Sequence, residues 1–128
     1  MKLLLDTHTF IWWDSDPAKL SLKVLALCKD RANIMLLSVT SVWEMQIKLH
    51  LGKLRLRVPL PQMIETQRQT NNIEVLPVLL THVLALGNLP TYHKDPFDRL
   101  LICQANIEGA VLVSKDPKFQ KYPVDLVW

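Results

Sequence analysis

Glycine, cysteine and long apolar runs are all scarce in this 128-residue chain, and each scarcity argues against a class of protein. The three glycines stand apart from one another, so there is no glycine-rich loop to cradle a phosphate. Cys28 and Cys103 lie in apolar helical patterns and, with the four histidines, show no zinc-site spacing, which indicates reduced core residues. No apolar stretch is long enough to cross a bilayer.

The composition indicates one globular domain over residues 1–128. Hydrophobic residues make up 49% of the chain, which is too many for a disordered segment. The run Met1–Leu5 meets Asp6 too early to form a signal peptide, so we expect a cytoplasmic protein with no membrane segment. The formal net charge of +3 permits a polyanionic partner but does not demand one.

Apolar runs alternate with helical patterns along the chain. Three consecutive leucines at 3–5 are typical of a strand buried on both faces. Further strands are predicted over 34–37, 74–78, 110–113 and 124–128. Helices are predicted over 7–13, from about 20 to 30, from about 39 to 51, and over 61–71, 82–86 (capped by Thr81) and 96–109. Residues 53–61 are predicted to form a short hairpin or an extended arm. This alternation predicts an α/β fold, a three-layer α/β/α sandwich with a mostly parallel central sheet.

Carboxylates follow the ends of two of these strands. Asp6 comes directly after the first strand, and Asp116 follows the strand that ends at Val113. Ligands of open parallel sheets bind at the carboxyl edge, which favours a functional role for both. Each aspartate also precedes a helical pattern and fits a simple N-cap. Between them, Ser114 is placed to hydrogen-bond a neighbouring carboxylate or a water molecule.

Two more acids lie near predicted helix starts. We place Glu44 in the first turn of its helix, where Ser41 and Glu44 also fit a capping box. Asp98 is the third residue of a helix that Asp95 caps and Pro96 begins. Because Asp98 heads an apolar helix face, burying it without a cation or hydrogen-bond donors would be costly. Asp98 is therefore the stronger candidate ligand, with Asp95 as a supplementary one.

Taken together, Asp6, Glu44, Asp98 and Asp116 would meet at one edge of a parallel sheet. Four carboxylates in a partly dry site repel one another, and divalent metal is the usual compensation. An all-oxygen site suits Mg²⁺ or Mn²⁺, which keep waters that a substrate can displace. Such ions activate water and bind phosphate oxygens, so the predicted chemistry is phosphodiester hydrolysis with water as the nucleophile.

Basic and aromatic residues leave alternatives open. Lys48, Lys53 and Arg55 belong to a basic run that is either a solvated face or a support for an RNA backbone. Arg99 is expected to form a salt bridge within the fold. Trp12, Trp13 and Trp43 could stack on bases, although helical spacing favours the core or a dimer surface. His8 and His93 are expected to be surface or hydrogen-bonding residues near the site.

Four segments of the chain resemble the PIN-domain ribonucleases, and among them the VapC-type toxins of prokaryotic toxin–antitoxin pairs. The segments are Leu-Leu-Leu-Asp6-Thr-His, Ser41-Val-Trp-Glu44-Met-Gln-Ile-Lys48, His93-Lys-Asp95-Pro-Phe-Asp98-Arg99 and Ser114-Lys-Asp116. The resemblance implies an α/β/α sandwich and Mg²⁺- or Mn²⁺-dependent endoribonuclease activity. It also implies homodimerisation, or a hetero-oligomer with a cognate antitoxin protein.

The same resemblance assigns roles to residues. It makes Asp6, Glu44, Asp98 and Asp116 the catalytic metal-binding acids, Thr7 and Ser114 supporting hydroxyls, and Asp95 an extra acid. Two other interpretations stay open at this stage. One is a nuclease of the same fold that processes RNA or cuts DNA. The other is a binding module in which the acids are only helix caps.

Overall fold

Five parallel strands form a single sheet in this computed structural model, which describes residues 1–128. They are β1 (Lys2–Leu5), β2 (Ile34–Ser38), β3 (Glu74–Leu76), β4 (Val111–Val113) and β5 (Leu126–Val127). Their order across the sheet is β3-β2-β1-β4-β5, and every pairing is parallel. The predicted parallel sheet is confirmed. The third strand ends before Pro77, which has no N–H to donate to a neighbouring strand.

The strand order reverses direction once, between β1 and β4. The chain moves outward from β1 through β2 to β3, and then crosses back to place β4 and β5 on the other side of β1. In the register, Leu4 of β1 lies opposite both Leu36 and Leu112. A crevice opens at such a reversal because the connections on either side leave in opposite directions. The carboxyl ends of β1 and β4 therefore mark the expected site.

Six α-helices and three 3₁₀ turns connect the strands. The helices are α1 (Thr7–Ser15), α2 (Leu22–Lys29), α3 (Val39–His50), α4 (Leu60–Asn71), α5 (Leu80–Ala85) and α6 (Pro96–Glu108), and the turns cover Pro17–Lys19, Leu86–Asn88 and Pro117–Lys121. Asp95 caps α6 as predicted, and Gly109 ends it in the left-handed conformation with φ of 64°. Thr81 was wrongly predicted as a cap, because α5 already begins at Leu80.

Residues 53–59 form no strand, so of the two predicted alternatives the structure has the arm and not the hairpin. The segment is an irregular arm in which Leu54 and Leu56 are half-buried and pack against the core. Lys53 and Arg55 alternate with them and are exposed. The alternation of basic and apolar residues, which is also typical of a strand, arises here because the leucines pack against the core and the basic residues face solvent.

Two apolar cores lie on opposite faces of the sheet, which confirms the three-layer α/β/α sandwich. Leu3 and Leu5 belong to one core, and Leu4 belongs to the other. The first core contains side chains of α1, α2, α3 and α4, and the second contains Leu101 and Ile102 of α6. All three leucines of β1 are fully buried, which is why that strand has no polar alternation.

A buried polar network ties α5 to the rest of the fold. His82 is fully buried, and its Nδ1 accepts a hydrogen bond from the Leu79 amide at 3.0 Å. Its Nε2 lies 2.9 Å from Glu108 Oε2. Gln104 links this ring to the end of β2, since its Nε2 lies 3.3 Å from His82 Nδ1 and its Oε1 accepts from Ser38. Every ring nitrogen of this buried histidine thus has a partner.

Both cysteines are free and buried, as predicted. Burial raises the pKa of the Cys28 thiol to about 11, and burial also raises the pKa of Cys103 against a smaller opposing effect of Arg99. Such thiols carry little thiolate at neutral pH and are poor nucleophiles. No helix is long and apolar enough to span a membrane.

Candidate functional site

An acidic cleft of about 150 Å³ lies at the carboxyl edge of the sheet, beside the point where the strand order reverses. Five carboxylates, two lysines and two other side chains line it: Asp6, Glu44, Asp95, Asp98, Asp116, Lys48, Lys118, Thr7 and His8. All four predicted metal-binding acids and the predicted extra acid therefore meet in one place. The carboxylates outnumber the lysines, so the cleft holds excess negative charge.

Asp6 is held on both carboxylate oxygens. Oδ1 accepts from the Thr9 amide at 2.8 Å, and Oδ2 accepts from the Ser114 hydroxyl at 2.5 Å. The Asp6 amide donates to the Val113 carbonyl at 3.1 Å, which extends the β1–β4 pairing to the cleft. Asp6 is therefore both the N-cap of α1 and a wall of the site. The N-cap role of Asp6 is thus compatible with a functional role at the sheet edge. The expected hydrogen bond from Ser114 is confirmed.

Glu44 lies in the second turn of α3, not in the first. Ser38 is the N-cap of this helix and accepts from the Thr40 amide at 2.9 Å, so the predicted capping box with Ser41 is wrong. Glu44 instead accepts from the Thr7 hydroxyl at 2.6 Å and pairs with Lys48 at 3.3 Å. The carboxylate is thus aimed into the cleft by one hydroxyl and one cation.

Asp98 carries the clearest electrostatic signature of the site. Burial first, and then the nearby charges of Asp95 and Glu44, raise its pKa from 3.8 to about 6. A hydrogen bond with His93, whose Nε2 lies 3.3 Å from Asp98 Oδ2, works in the opposite direction. A carboxyl group that is perturbed by burial and by neighbouring carboxylates in a cleft is a candidate for a functional role.

Asp95 and Asp116 line the cleft and also cap helical segments. Asp95 Oδ1 accepts from the Phe97 and Asp98 amides at 2.9 and 3.2 Å. Asp116 Oδ1 accepts from the Lys118 amide at 2.9 Å, and the Asp116 amide donates to Ser114 at 3.0 Å. The positive end of each helical segment therefore faces the cleft and offsets part of the acidic charge.

The donor set fits a hard divalent cation. It consists of carboxylate and hydroxyl oxygens, which Mg²⁺ and Mn²⁺ prefer, and the five carboxylates exceed the two lysines in charge. No three Asp, Glu, His or Cys side chains are arranged to hold an ion by direct contact alone. Mg²⁺ typically retains several waters, so an ion bound partly through water suits these side chains.

The structure separates the predicted basic residues. Lys48 lines the cleft, whereas Lys53 and Arg55 lie on the exposed arm outside it. Arg99 forms no ion pair, and the expected salt bridge is wrong. Its guanidinium instead donates to the Pro90 carbonyl at 2.8 Å, which holds the loop before α6.

The two histidines lie near the site, as predicted, since the exposed His8 lines the cleft and His93 hydrogen-bonds to Asp98. Lys118 is the cleft residue that sequence reasoning missed, and it reaches the cleft from the turn that Asp116 caps. The available signal for Lys118 was its position two residues after a capping acid.

Comparisons with known proteins agree with this geometry. The family model described as PIN domain matches residues 3–125. Ribonuclease VapC22 of Mycobacterium tuberculosis is 24% identical over 121 residues, which is 94% of this chain and 91% of the relative. The crystal structure of VapBC2 from Rickettsia felis, bound to a DNA fragment from their promoter, superposes with a TM-score of 0.74 at 19% identity, covering 99% of this chain and 98% of that one.

Two other solved structures share the fold. VapBC-1 from nontypeable Haemophilus influenzae gives a TM-score of 0.65 at 17% identity, over 99% of this chain and 97% of that chain. FitAcB from Neisseria gonorrhoeae gives 0.60 at 16% identity, over 98% and 96% respectively. Since the family model spans nearly the whole sequence, including every acid of the cleft, this chain belongs to the PIN domain family.

Proposed function

We propose that this chain is a Mg²⁺- or Mn²⁺-dependent endoribonuclease, the toxin of a toxin–antitoxin pair, active in the cytoplasm where it meets RNA. The observation that carries the proposal is the meeting of five carboxylates in one cleft where the strand order reverses. The likeness to a protein named as a VapC ribonuclease supports RNA as the substrate. The likeness to VapBC complexes supports a cognate antitoxin as the partner.

Asp6, Glu44, Asp98 and Asp116 would hold the metal, with Asp95 as a supplementary ligand. A bound metal would supply an activated water and would offset the charge that develops on the scissile phosphate. Hydrolysis would join the oxygen of water to phosphorus and break the bond from phosphorus to the leaving oxygen, and the leaving oxygen would end with a proton that the water gives up.

The neighbouring side chains keep the acids in position for this chemistry. Ser114 fixes one oxygen of Asp6, and Thr7 fixes one oxygen of Glu44. Lys48 and Lys118 supply positive charge at the cleft, which attracts the phosphates of an incoming RNA. Lys53 and Arg55 stand on the arm outside the cleft and would contact the RNA backbone further along the strand.

The first test is calorimetric titration of Mn²⁺ into the wild type, Asp98→Asn and Asp125→Asn. Asp125 is exposed, lies directly before β5 and does not line the cleft, so its substitution is a matched control. We expect saturable binding by the wild type and the control and loss of binding in Asp98→Asn. Absence of binding in all three, even with a non-cleavable RNA added, would contradict the proposal and favour a binding module.

The second test is cleavage of mixed-sequence RNA and of DNA of the same length. We expect Mn²⁺-dependent cleavage of RNA that Asp6→Asn abolishes while the fold, checked by circular dichroism, survives. Asn is as good an N-cap as Asp, so α1 keeps its first hydrogen bond. Cleavage of DNA alone would favour a DNA nuclease, and unchanged RNA cleavage by Asp6→Asn would refute the assigned site.

We also propose a homodimer, formed through an exposed apolar groove on α3, α5 and α6. The groove encloses about 470 Å³ and is lined mainly by hydrophobic side chains, among them Trp43, Val83 and Phe97. Trp43 is 60% exposed, and apolar patches of this kind mark interfaces. Trp43→Glu should sediment as a monomer while Leu22→Glu, on an exposed site elsewhere, remains a dimer. A wild-type monomer, in the absence of antitoxin, would refute this interface.

A further inference from the structure

A second pocket, of about 330 Å³, adjoins the acidic cleft between the start of α1 and the turn at Pro117–Lys121. Its walls are Asp6, His8, Trp12, Lys115, Asp116 and Pro117. Asp6, His8 and Asp116 also line the acidic cleft, so the two cavities share a wall. The volume lies at the lower end of the range for ligand-binding sites, and the surface of the pocket walls is mainly apolar.

The apolar wall of this pocket is aromatic. Trp12 and His8 lie one helical turn apart on α1, with ring centroids 5.8 Å apart and planes inclined by 39°. The ring of Trp12 also packs edge-on against Trp128 at 5.9 Å, which fixes its orientation. Trp12 is half-buried, so part of the ring remains open to the pocket. A fixed, partly open indole is the surface on which an unpaired nucleobase stacks.

Two lysines flank the aromatic wall. Lys115 lines the pocket itself, and the ammonium of Lys19 lies 5.9 Å from the centroid of the Trp12 ring. The carboxylates of Asp6 and Asp116 belong to the wall that the pocket shares with the acidic cleft. Cations beside an aromatic surface favour a polyanion that carries flat rings over an uncharged apolar peptide.

We propose that this pocket binds one unpaired nucleobase of the RNA, stacked on Trp12, from the nucleotide beside the scissile phosphate. The inference rests on the proposed function, because RNA is what brings a base to the cleft. Since the cavities share a wall, one nucleotide can place its phosphate at the acids and its base on Trp12. A paired base is already stacked within its helix, so the pocket selects single-stranded RNA or loops.

The first experiment measures the pocket without metal or cleavage. Adenosine carries a base but no phosphate, and ribose is the matched probe without a base. We expect adenosine at millimolar concentration to shift the indole N–H resonance of Trp12, identified by its absence from Trp12→Phe. Ribose should leave that resonance unchanged. An unmoved Trp12 resonance in adenosine would overturn the proposal.

The second experiment measures kcat/KM on single-stranded RNA. Trp12→Leu keeps apolar bulk against the core but removes the stacking surface, and we expect kcat/KM to fall by about 5- to 150-fold. Trp12→Phe retains an aromatic ring and should stay within a few-fold of the wild type. Tyr92→Leu, a similar change at an exposed aromatic residue outside both cavities, should have no effect. Thermal unfolding checks that each variant is folded.

The outcomes separate this inference from the proposed function. If the wild type cleaves RNA and Trp12→Leu cleaves it equally well, the base pocket is wrong and the ribonuclease stands. If the wild type cleaves no RNA, the proposed function and this role of the pocket are both refuted, whether or not adenosine shifts the Trp12 resonance. If Trp12→Leu weakens only the binding of the antitoxin, the pocket belongs to the protein partner and the proposal is refuted.

Discussion

Replacing Asp98 by Asn should stabilise the metal-free protein at neutral pH. The side chain is only 18% exposed, and burial with the charges of Asp95 and Glu44 raises its pKa from an ordinary 3.8 to about 6. At about 1.4 kcal/mol per tenfold change, that difference corresponds to at most about 3 kcal/mol of destabilisation by the ionised carboxylate. Screening in the open cleft reduces the effect, so we expect about 1–3 kcal/mol.

The pH dependence gives this prediction a definite sign. Below pH 4 the carboxyl group is protonated in both the folded and the unfolded chain, so Asp98 costs nothing. Between pH 4 and pH 6 the folded state holds its proton more tightly, and the free energy of unfolding of the wild type falls as pH rises. Above pH 6 the destabilisation by the ionised Asp98 carboxylate has reached its full value. The advantage of Asp98→Asn should therefore grow from pH 4 to pH 6 and then level off.

Urea unfolding in EDTA at several pH values from 4 to 8 measures this directly. Asp125→Asn, the exposed control, should match the wild type at every pH. Saturating Mn²⁺ should reverse the order, since it stabilises only a folded state that binds it, by about 4.1 kcal/mol at one thousand times Kd. An Asp98→Asn variant that is less stable than the wild type at pH 7.5 in EDTA would refute the electrostatic reasoning.

Three further predictions concern the supports of the fold and the site. Ser114→Ala should lower RNA cleavage at least about tenfold and cost about 1–3 kcal/mol in urea unfolding, because one oxygen of Asp6 and one backbone amide lose their partner. His82→Ala should cost about 2–4 kcal/mol by the same measurement, since it leaves buried partners unsatisfied and opens a cavity. Gly109→Ala should lower stability by about 1 kcal/mol through its left-handed φ alone, whereas Gly87→Ala, with no such φ and equal free space, should not, as thermal unfolding can check.

The strands and most caps could be predicted because their causes are local. The apolar run of β1 needs only its three leucines, and Asp95 followed by Pro96 marks the start of α6 with no knowledge of the rest of the chain. The site acids could be predicted because parallel strands bring their carboxyl ends to one edge.

The predictions failed in two situations. In one, neighbouring residues compete for the same N-cap position, and in the other, the hydrogen-bond partner of a side chain is a backbone carbonyl. Ser38 and Ser41 are equally good caps by type and both are buried, and the end of β2 at Ser38, where the helix begins, decides between them. Arg99 binds carbonyl oxygens of the Leu89–Pro90 segment, and residue type carries no information on where a carbonyl points. The cleft lysine Lys118 depends on how a short turn folds back over the sheet edge.

Three of the five cleft acids cap helical segments, and this makes the site preorganised. Backbone amides hold Asp6, Asp95 and Asp116 in place. Little conformational entropy would then be lost on binding of an ion, which favours affinity. Metal binding should accordingly leave the far-ultraviolet circular dichroism unchanged. The acids take their positions when the chain folds, so on the proposed function an arriving metal would meet a site that is already arranged.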